Sequence, residues 1–217
     1  MAILKNGING PVSGKWGNNV AYELNGQLVV RSVGKYNVPE PSEKLRKVWA
    51  TTAYVADFLR PVVGFIKSGF DLEVRGTTSN AYNKAVSFAK KAVVWEADEV
   101  TIDYSKVVFA KGTMPTVQHT EVEWLEEGLK FSWNIGVRKG QTAKADRVML
   151  MAYFPEAMEA AFTICGARRG EGSDILPLSD FSEFTVAETY LAFVAENRSS
   201  ISNSIYTGRY NRPTTKP

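Results

Sequence analysis

From about Val100 onward the chain breaks into short β-type runs separated by turn residues, and no other feature restricts its fold as strongly. Leu129-Lys130-Phe131-Ser132-Trp133 alternates apolar and polar residues, so Leu129, Phe131 and Trp133 are expected on one face turned to a core. Arg147 to Phe154 is almost continuously apolar and ends at Pro155, which predicts a buried or nearly buried strand. Thr101 to Ser105, Lys106 to Ala110, Phe162 to Cys165, Thr189 to Val194 and Ile201 to Tyr206 complete the set. Six or seven short strands at such spacing predict an antiparallel β-sandwich of the immunoglobulin or fibronectin type III kind.

Ahead of this region the pattern differs. Val20 to Leu24 and Gln27 to Arg31 flank Asn25-Gly26, the pair favoured by a tight two-residue hairpin turn because both positions need positive φ. Gly7, Gly10, Gly14 and Gly17 precede the hairpin and mark a strap that turns often. Pro39-Glu40-Pro41 then stops the strand and Ser42 offers a helix N-cap. Leu45, Val48, Trp49, Thr52, Ala56, Leu59 and Val63 recur at helical spacing, which places Trp49 in a core, and Pro61 is expected to end or kink this helix. Gly64 to Gly76 reads as a connection. A second helix is expected from Ser79 or Asn80 to about Ala92, burying Tyr82, Ala85, Val86 and Ala89. The expected fold is therefore mostly β with α: strap, hairpin and two amphipathic helices over 1–99, a β-sandwich over 100–210, and a tail over 211–217.

The 217 residues, 44% of them hydrophobic, suffice for a sizeable core. A net charge of +3 lacks the clustered basic excess of a dedicated nucleic-acid binder. One cysteine excludes an intrachain disulfide framework, and the apolar run around Cys165 predicts a buried, inert thiol. The first residues carry no apolar signal-peptide core, and no stretch reaches the ~18 apolar residues of a membrane span. Cytoplasmic synthesis without membrane insertion is expected, with release or incorporation into a larger assembly left open.

Chemistry finds little support in the residues. His119 is the single histidine and stands in a polar connection, so neither a multi-histidine metal site nor a zinc spacing exists. No G-x-S-x-G elbow accompanies any serine. Glu121, Glu123, Glu126 and Glu127 cluster around Trp124 without the spacing of a calcium loop, and read as a charged strand edge that discourages aggregation. The Gly10 to Gly17 segment contains Gly14-Lys15 but lacks the phosphate-loop pattern. No catalytic residue, cofactor or metal is expected. The residues expected to make contacts are Lys15 and Trp16 in the strap, Tyr22 and Arg31 in the hairpin, and Arg168 and Arg169 in an expected hairpin loop.

Asn6-Gly7-Ile8-Asn9-Gly10, Ser13-Gly14-Lys15-Trp16-Gly17 and the closing Ser202-Asn203-Ser204-Ile205-Tyr206-Thr207-Gly208 carry a resemblance that extends over nearly the whole chain. They resemble an uncharacterised family found in Bacteroidetes genomes and prophages. The resemblance implies no activity and no catalytic residues; it implies a phage-associated setting. Two functional expectations follow. One is a non-enzymatic structural protein that self-assembles as a homo-oligomer through its N-terminal strap, in a virion, tail or filament. The other is a nucleic-acid or carbohydrate binding module, because residues 1–50 hold Lys5, Lys15, Arg31, Lys35, Lys44, Arg46 and Lys47 against Glu23, Glu40 and Glu43.

Overall fold

The computed structural model describes residues 2–4, 12–24, 26–34, 40–97, 99–135, 145–181 and 183–213. Asn25, the glycines at 7 and 10, and the tail beyond Pro213 lie outside the described residues.

The N-terminal hairpin is present and belongs to a four-stranded antiparallel sheet. Strands β1 (Ala2–Leu4), β2 (Gly14–Trp16), β3 (Asn19–Leu24) and β4 (Gln27–Ser32) lie in the order β1-β4-β3-β2. Leu24 pairs with Gln27, which leaves a two-residue turn, and Gly26 takes the positive φ (77°) such a turn needs. The strands β1 and β2 are additions to the expected hairpin.

Three helices follow. Helix α1 (Glu43–Leu59) starts at Ser42, whose hydroxyl accepts from the Leu45 amide. A single 3₁₀ turn at Arg60–Val62 holds Pro61 where its missing amide costs nothing, and the chain continues directly into α2 (Val63–Val74). The expected connection at Gly64 to Gly76 is thus mostly helix, because Phe65, Ile66 and Phe70 are all buried on one side of it. Helix α3 (Ala81–Ala89) begins at Asn80, whose side chain caps Asn83, and buries Ala85 and Ala89 as expected. The stripe on α1 needs correction. Val55, Phe58 and Leu59 are buried, whereas Leu45, Val48 and Trp49 are exposed, Trp49 by 52%, because the helix reaches the core only in its C-terminal half.

A short hairpin of β5 (Val93–Glu96) and β6 (Glu99–Ile102) leads into the sandwich. Residues 107–110 are not a strand; Val107, Phe109 and Ala110 are buried in an irregular segment. Strands β7 (Thr120–Leu125), β8 (Gly128–Trp133) and β11 (Ser173–Pro177) form one sheet in the order β11-β8-β7. Strands β9 (Arg147–Phe154), β10 (Glu159–Thr163), β12 (Val186–Val194) and β13 (Ile205–Asn211) form the other, β10-β9-β12-β13. All pairings in both sheets are antiparallel. First, second and fifth strands against fourth, third, sixth and seventh is the strand division of a fibronectin-type sandwich, with connections that cross between sheets. The glutamates at 121 and 123 point outward from the edge strand β7, as the charged-edge reading expects.

The sheet β10-β9-β12-β13 is the middle layer of three. Val148, Leu150, Ala152 and Phe154 of β9 meet Leu129, Phe131, Trp133 and Leu176 of the second sheet. Met149, Met151 and Tyr153, on the other face, meet Phe58, Phe65 and Phe109 of the helical layer. A strand covered on both faces has no polar positions to offer, so the apolar run of β9 is a direct consequence of its place. Each large side chain so buried contributes about 1.5–3 kcal/mol.

Candidate functional site

The expected contact residues separate into three groups. Lys15 and Trp16 occupy β2, an edge strand whose three residues are all exposed, Trp16 by 52%. Tyr22 is half-buried on β3 and Arg31 exposed on β4, with the Arg31 guanidinium 5.9 Å from the Tyr22 ring centroid. These four residues therefore share one small sheet. Among the described residues its buried members, Ala21 and Val29, belong to neither of the two cores.

Arg168 and Arg169 part company. The segment that carries them crosses from one sheet to the other, so it is not a hairpin loop. Arg168 is exposed and lies 3.5 Å from Glu196. Arg169 is buried and is no surface contact residue: its guanidinium donates to the carbonyls of Pro115 (2.9 Å) and Thr116 (3.3 Å) and lies 3.8 Å from Asp146. An arginine so enclosed needs several acceptors, and these elements provide them. Burial raises the Asp146 carboxyl above the ordinary range, against the opposing pull of Arg169.

A mixed cleft of about 520 Å³ lies between α1 and β5. The spacing of Glu43, Lys47 and Thr51, four residues apart, puts them in one row along α1, with Lys44 and Val48 beside them. Trp95 stands opposite and Lys90, at the end of α3, closes one side. The Trp95 indole N–H donates to the Thr51 hydroxyl at 3.2 Å, and the Lys47 ammonium lies 5.7 Å from the ring centroid. The sequence signalled the basic residues of α1. It gave no sign of Lys90 and Trp95, which reach the cleft only through the packing of α3 and β5.

A second groove, about 560 Å³, runs between β10 and β11, where each is the edge of its sheet. Ala160, Phe162, Leu176 and Phe181 line it together with Asp174, whose carboxylate accepts from the Ala167 amide at 2.8 Å and the Ile175 amide at 2.9 Å.

Glu188, almost fully buried on β12, accepts from the Tyr206 hydroxyl at 2.6 Å and lies 3.7 Å from Arg209. Burial, then the nearby Tyr54 and Glu188, push the Tyr104 phenol up to about 12, and burial raises Tyr153, Tyr190 and Tyr206 further. Phenols in this state stay protonated at neutral pH, and two of them donate: Tyr190 to the Tyr104 carbonyl and Tyr206 to Glu188.

His119 is exposed in the connection before β7 and takes a left-handed φ of 63°. Cys165 is exposed, contrary to the expected burial, because β10 ends at Thr163 and the apolar run continues into a turn. Among the described residues, no group of three or more His, Cys, Asp or Glu side chains could hold a metal ion. No described helix is long and apolar enough to cross a membrane.

No curated protein and no solved structure matches the chain. A family model does match, over residues 12–208, a span that takes in the exposed strand β2, all three helices and nearly the whole sandwich. The chain belongs to this family, described as a family of unknown function, DUF6266.

Proposed function

We propose that the protein is a non-enzymatic structural component that assembles with copies of itself through its N-terminal sheet. The observation that carries this reading is the position of Trp16: a large aromatic, half in solvent, on a strand that is an edge, among the described residues, of a sheet that belongs to neither core. An exposed edge presents unpaired backbone donors and acceptors, and a neighbouring chain can satisfy them by adding a strand. A lysine on such an edge discourages indiscriminate pairing, so Lys15 favours an acceptor that carries acidic groups.

The groove between β10 and β11 supplies an acceptor of that character. It combines the free edge of β10, an apolar lining with Phe162 and Phe181, and the carboxylate of Asp174. Strand β2 of one copy against β10 of the next is a head-to-tail contact, which propagates as rings or filaments according to the rotation between copies. A phage-derived particle, tail or filament is the setting in which such a component fits, given the resemblance of its opening and closing segments to prophage-encoded proteins.

The test is light scattering with negative-stain microscopy on the full-length protein and on Trp16→Ala. Regular assemblies by the parent, reduced to monomers by the substitution with unchanged circular dichroism, are expected. A parent that stays monomeric at high concentration, or a Trp16→Ala protein that assembles like the parent, would refute the reading.

A further inference from the structure

The cleft between α1 and β5 has no part in that assembly reading. Three ammonium groups, Lys44, Lys47 and Lys90, surround it, against the single carboxylate of Glu43. Glu43 is already 3.4 Å from Lys47, and Lys44 and Lys90 have no ion-pair partner among the described residues. Trp95 forms the opposite wall with its indole edge fixed by Thr51 and a face toward Lys47. The volume, about 520 Å³, falls within the ~300–1,000 Å³ of small-molecule sites.

We propose that this cleft binds a phosphate that carries a flat ring, that is, a nucleotide unit, either free or within a single strand. Both halves of that ligand are required by the lining. The excess of ammonium groups calls for an anion, and phosphate accepts from several lysines at once. A rigidly held indole beside them calls for a ring to stack on, and base stacking on an aromatic side chain tolerates any base. A bare phosphate leaves the indole unused; an uncharged ring leaves the lysines without acceptors. On binding, the phosphate takes Lys47 from Glu43 and lies between Lys44 and Lys90 while the ring meets Trp95.

Fluorescence anisotropy of a labelled oligothymidylate on the full-length protein at low salt, with adenosine monophosphate and inorganic triphosphate as competitors, tests this. Saturable binding is expected. The double variant Lys44→Ala/Lys90→Ala should weaken it about tenfold or more and make the dependence of log K on log salt shallower by about 1.4, at about 0.7 per phosphate contact. Trp95→Leu should weaken both nucleotide probes about fivefold or more and leave triphosphate affinity unchanged, since stacking is the interaction removed. Adenosine monophosphate matching the oligonucleotide identifies a mononucleotide site; oligonucleotide binding alone identifies a single-strand site, and both uphold the proposal. Absence of saturable binding to either nucleotide probe overturns it. So does binding unchanged in the lysine double variant, whose exposed positions leave the fold intact. Triphosphate binding as tightly as the nucleotides, with no effect of Trp95→Leu, overturns it as well. Trp16→Ala serves as control and keeps full affinity.

Discussion

The guanidinium carbon of Arg169 lies 4.6 Å from the centroid of the Phe193 ring, so a buried cation caps the apolar core between the two sheets. Its backbone binds the same region together: the Arg169 amide donates to the Asp146 carbonyl at 2.7 Å, and the Trp133 indole donates to the Arg169 carbonyl at 2.9 Å. One residue thus ties the loop before β7, the start of β9 and the end of β8. Removing one partner of a buried charged pair leaves the other uncompensated, at a cost of about 3–5 kcal/mol. Arg169→Ala should lose that much in urea unfolding, and Arg169→Met less, because its stem still covers Phe193. Arg168→Ala, at the exposed neighbour, should change stability by under about 0.5 kcal/mol. Equal effects at the two positions would contradict the assignment.

The three-layer arrangement explains which parts of the fold were legible in the sequence. β9 and β8 were readable because full burial and one-sided burial write different patterns, a continuous run and an alternation. Asn80 and Ser42 announced their helices because capping is a local interaction. Helix α2 was hidden by Gly64 and Gly69, residues that normally mark turns; here Gly69 is buried in a helix because a backbone segment lies directly against it. Trp49 misled in the opposite sense, since helical spacing says which residues share a face and not whether a neighbour covers it. Nor could the sequence separate Arg168 from Arg169, whose difference depends on carbonyls more than fifty positions away in one of the two. The cleft of Lys90 and Trp95 was illegible for the same reason.

Two carboxylates respond to pH with opposite sign. Burial holds Asp146 above the ordinary carboxylate range, so the folded state binds its proton more tightly than the unfolded state. Its contribution to stability is therefore largest in acid and falls as pH rises from the ordinary value through the raised one. Asp103 is held low by hydrogen bonds from Lys106, 2.7 Å away, and Ser105. Its contribution is complete above the ordinary value and is lost as pH falls toward the lowered one. Urea midpoints measured across the acid range should show Asp146→Asn removing a decline with rising pH, and Asp103→Asn removing a decline with falling pH. The same sign for both would refute this account.

Two buried tyrosines make a second contrast. The Tyr190 hydroxyl donates to the Tyr104 carbonyl at 2.8 Å and so joins the middle sheet to the segment after β6. The Tyr153 hydroxyl is buried beside it and has no hydrogen-bond partner among the described residues. Removing the Tyr190 hydroxyl loses a made hydrogen bond and leaves the Tyr104 carbonyl with only the Val107 amide, 3.3 Å away, whereas removing an unsatisfied hydroxyl relieves a desolvation cost. Tyr190→Phe should destabilise by about 1 kcal/mol, and Tyr153→Phe should be neutral or stabilising by up to about 1 kcal/mol. Thermal unfolding followed by circular dichroism separates them; a destabilised Tyr153→Phe would mean that its hydroxyl is satisfied after all.

The helical glycines allow a last contrast, in which two energies compete. Alanine in a helix interior gains about 1 kcal/mol over glycine. At Gly69 the added Cβ would lie 2.2 Å from the Phe109 carbonyl oxygen and 3.0 Å from the Ala110 Cα, so backbone would have to move. The segment is also anchored there, since the Lys111 amide donates to the Gly69 carbonyl at 3.0 Å. Overpacking of this kind costs about 1–3 kcal/mol, enough to cancel or exceed the helical gain. At Gly64 the nearest atom is Phe162 Cζ, 2.9 Å away, the far end of a ring on a half-buried side chain that can turn aside. Gly69→Ala should therefore lower the melting temperature, and Gly64→Ala should leave it unchanged or raise it slightly. If Gly69→Ala proved as stable as the parent, the close approach of α2 to the Phe109–Ala110 segment would be wrong, and with it the packing of the helical layer on the middle sheet.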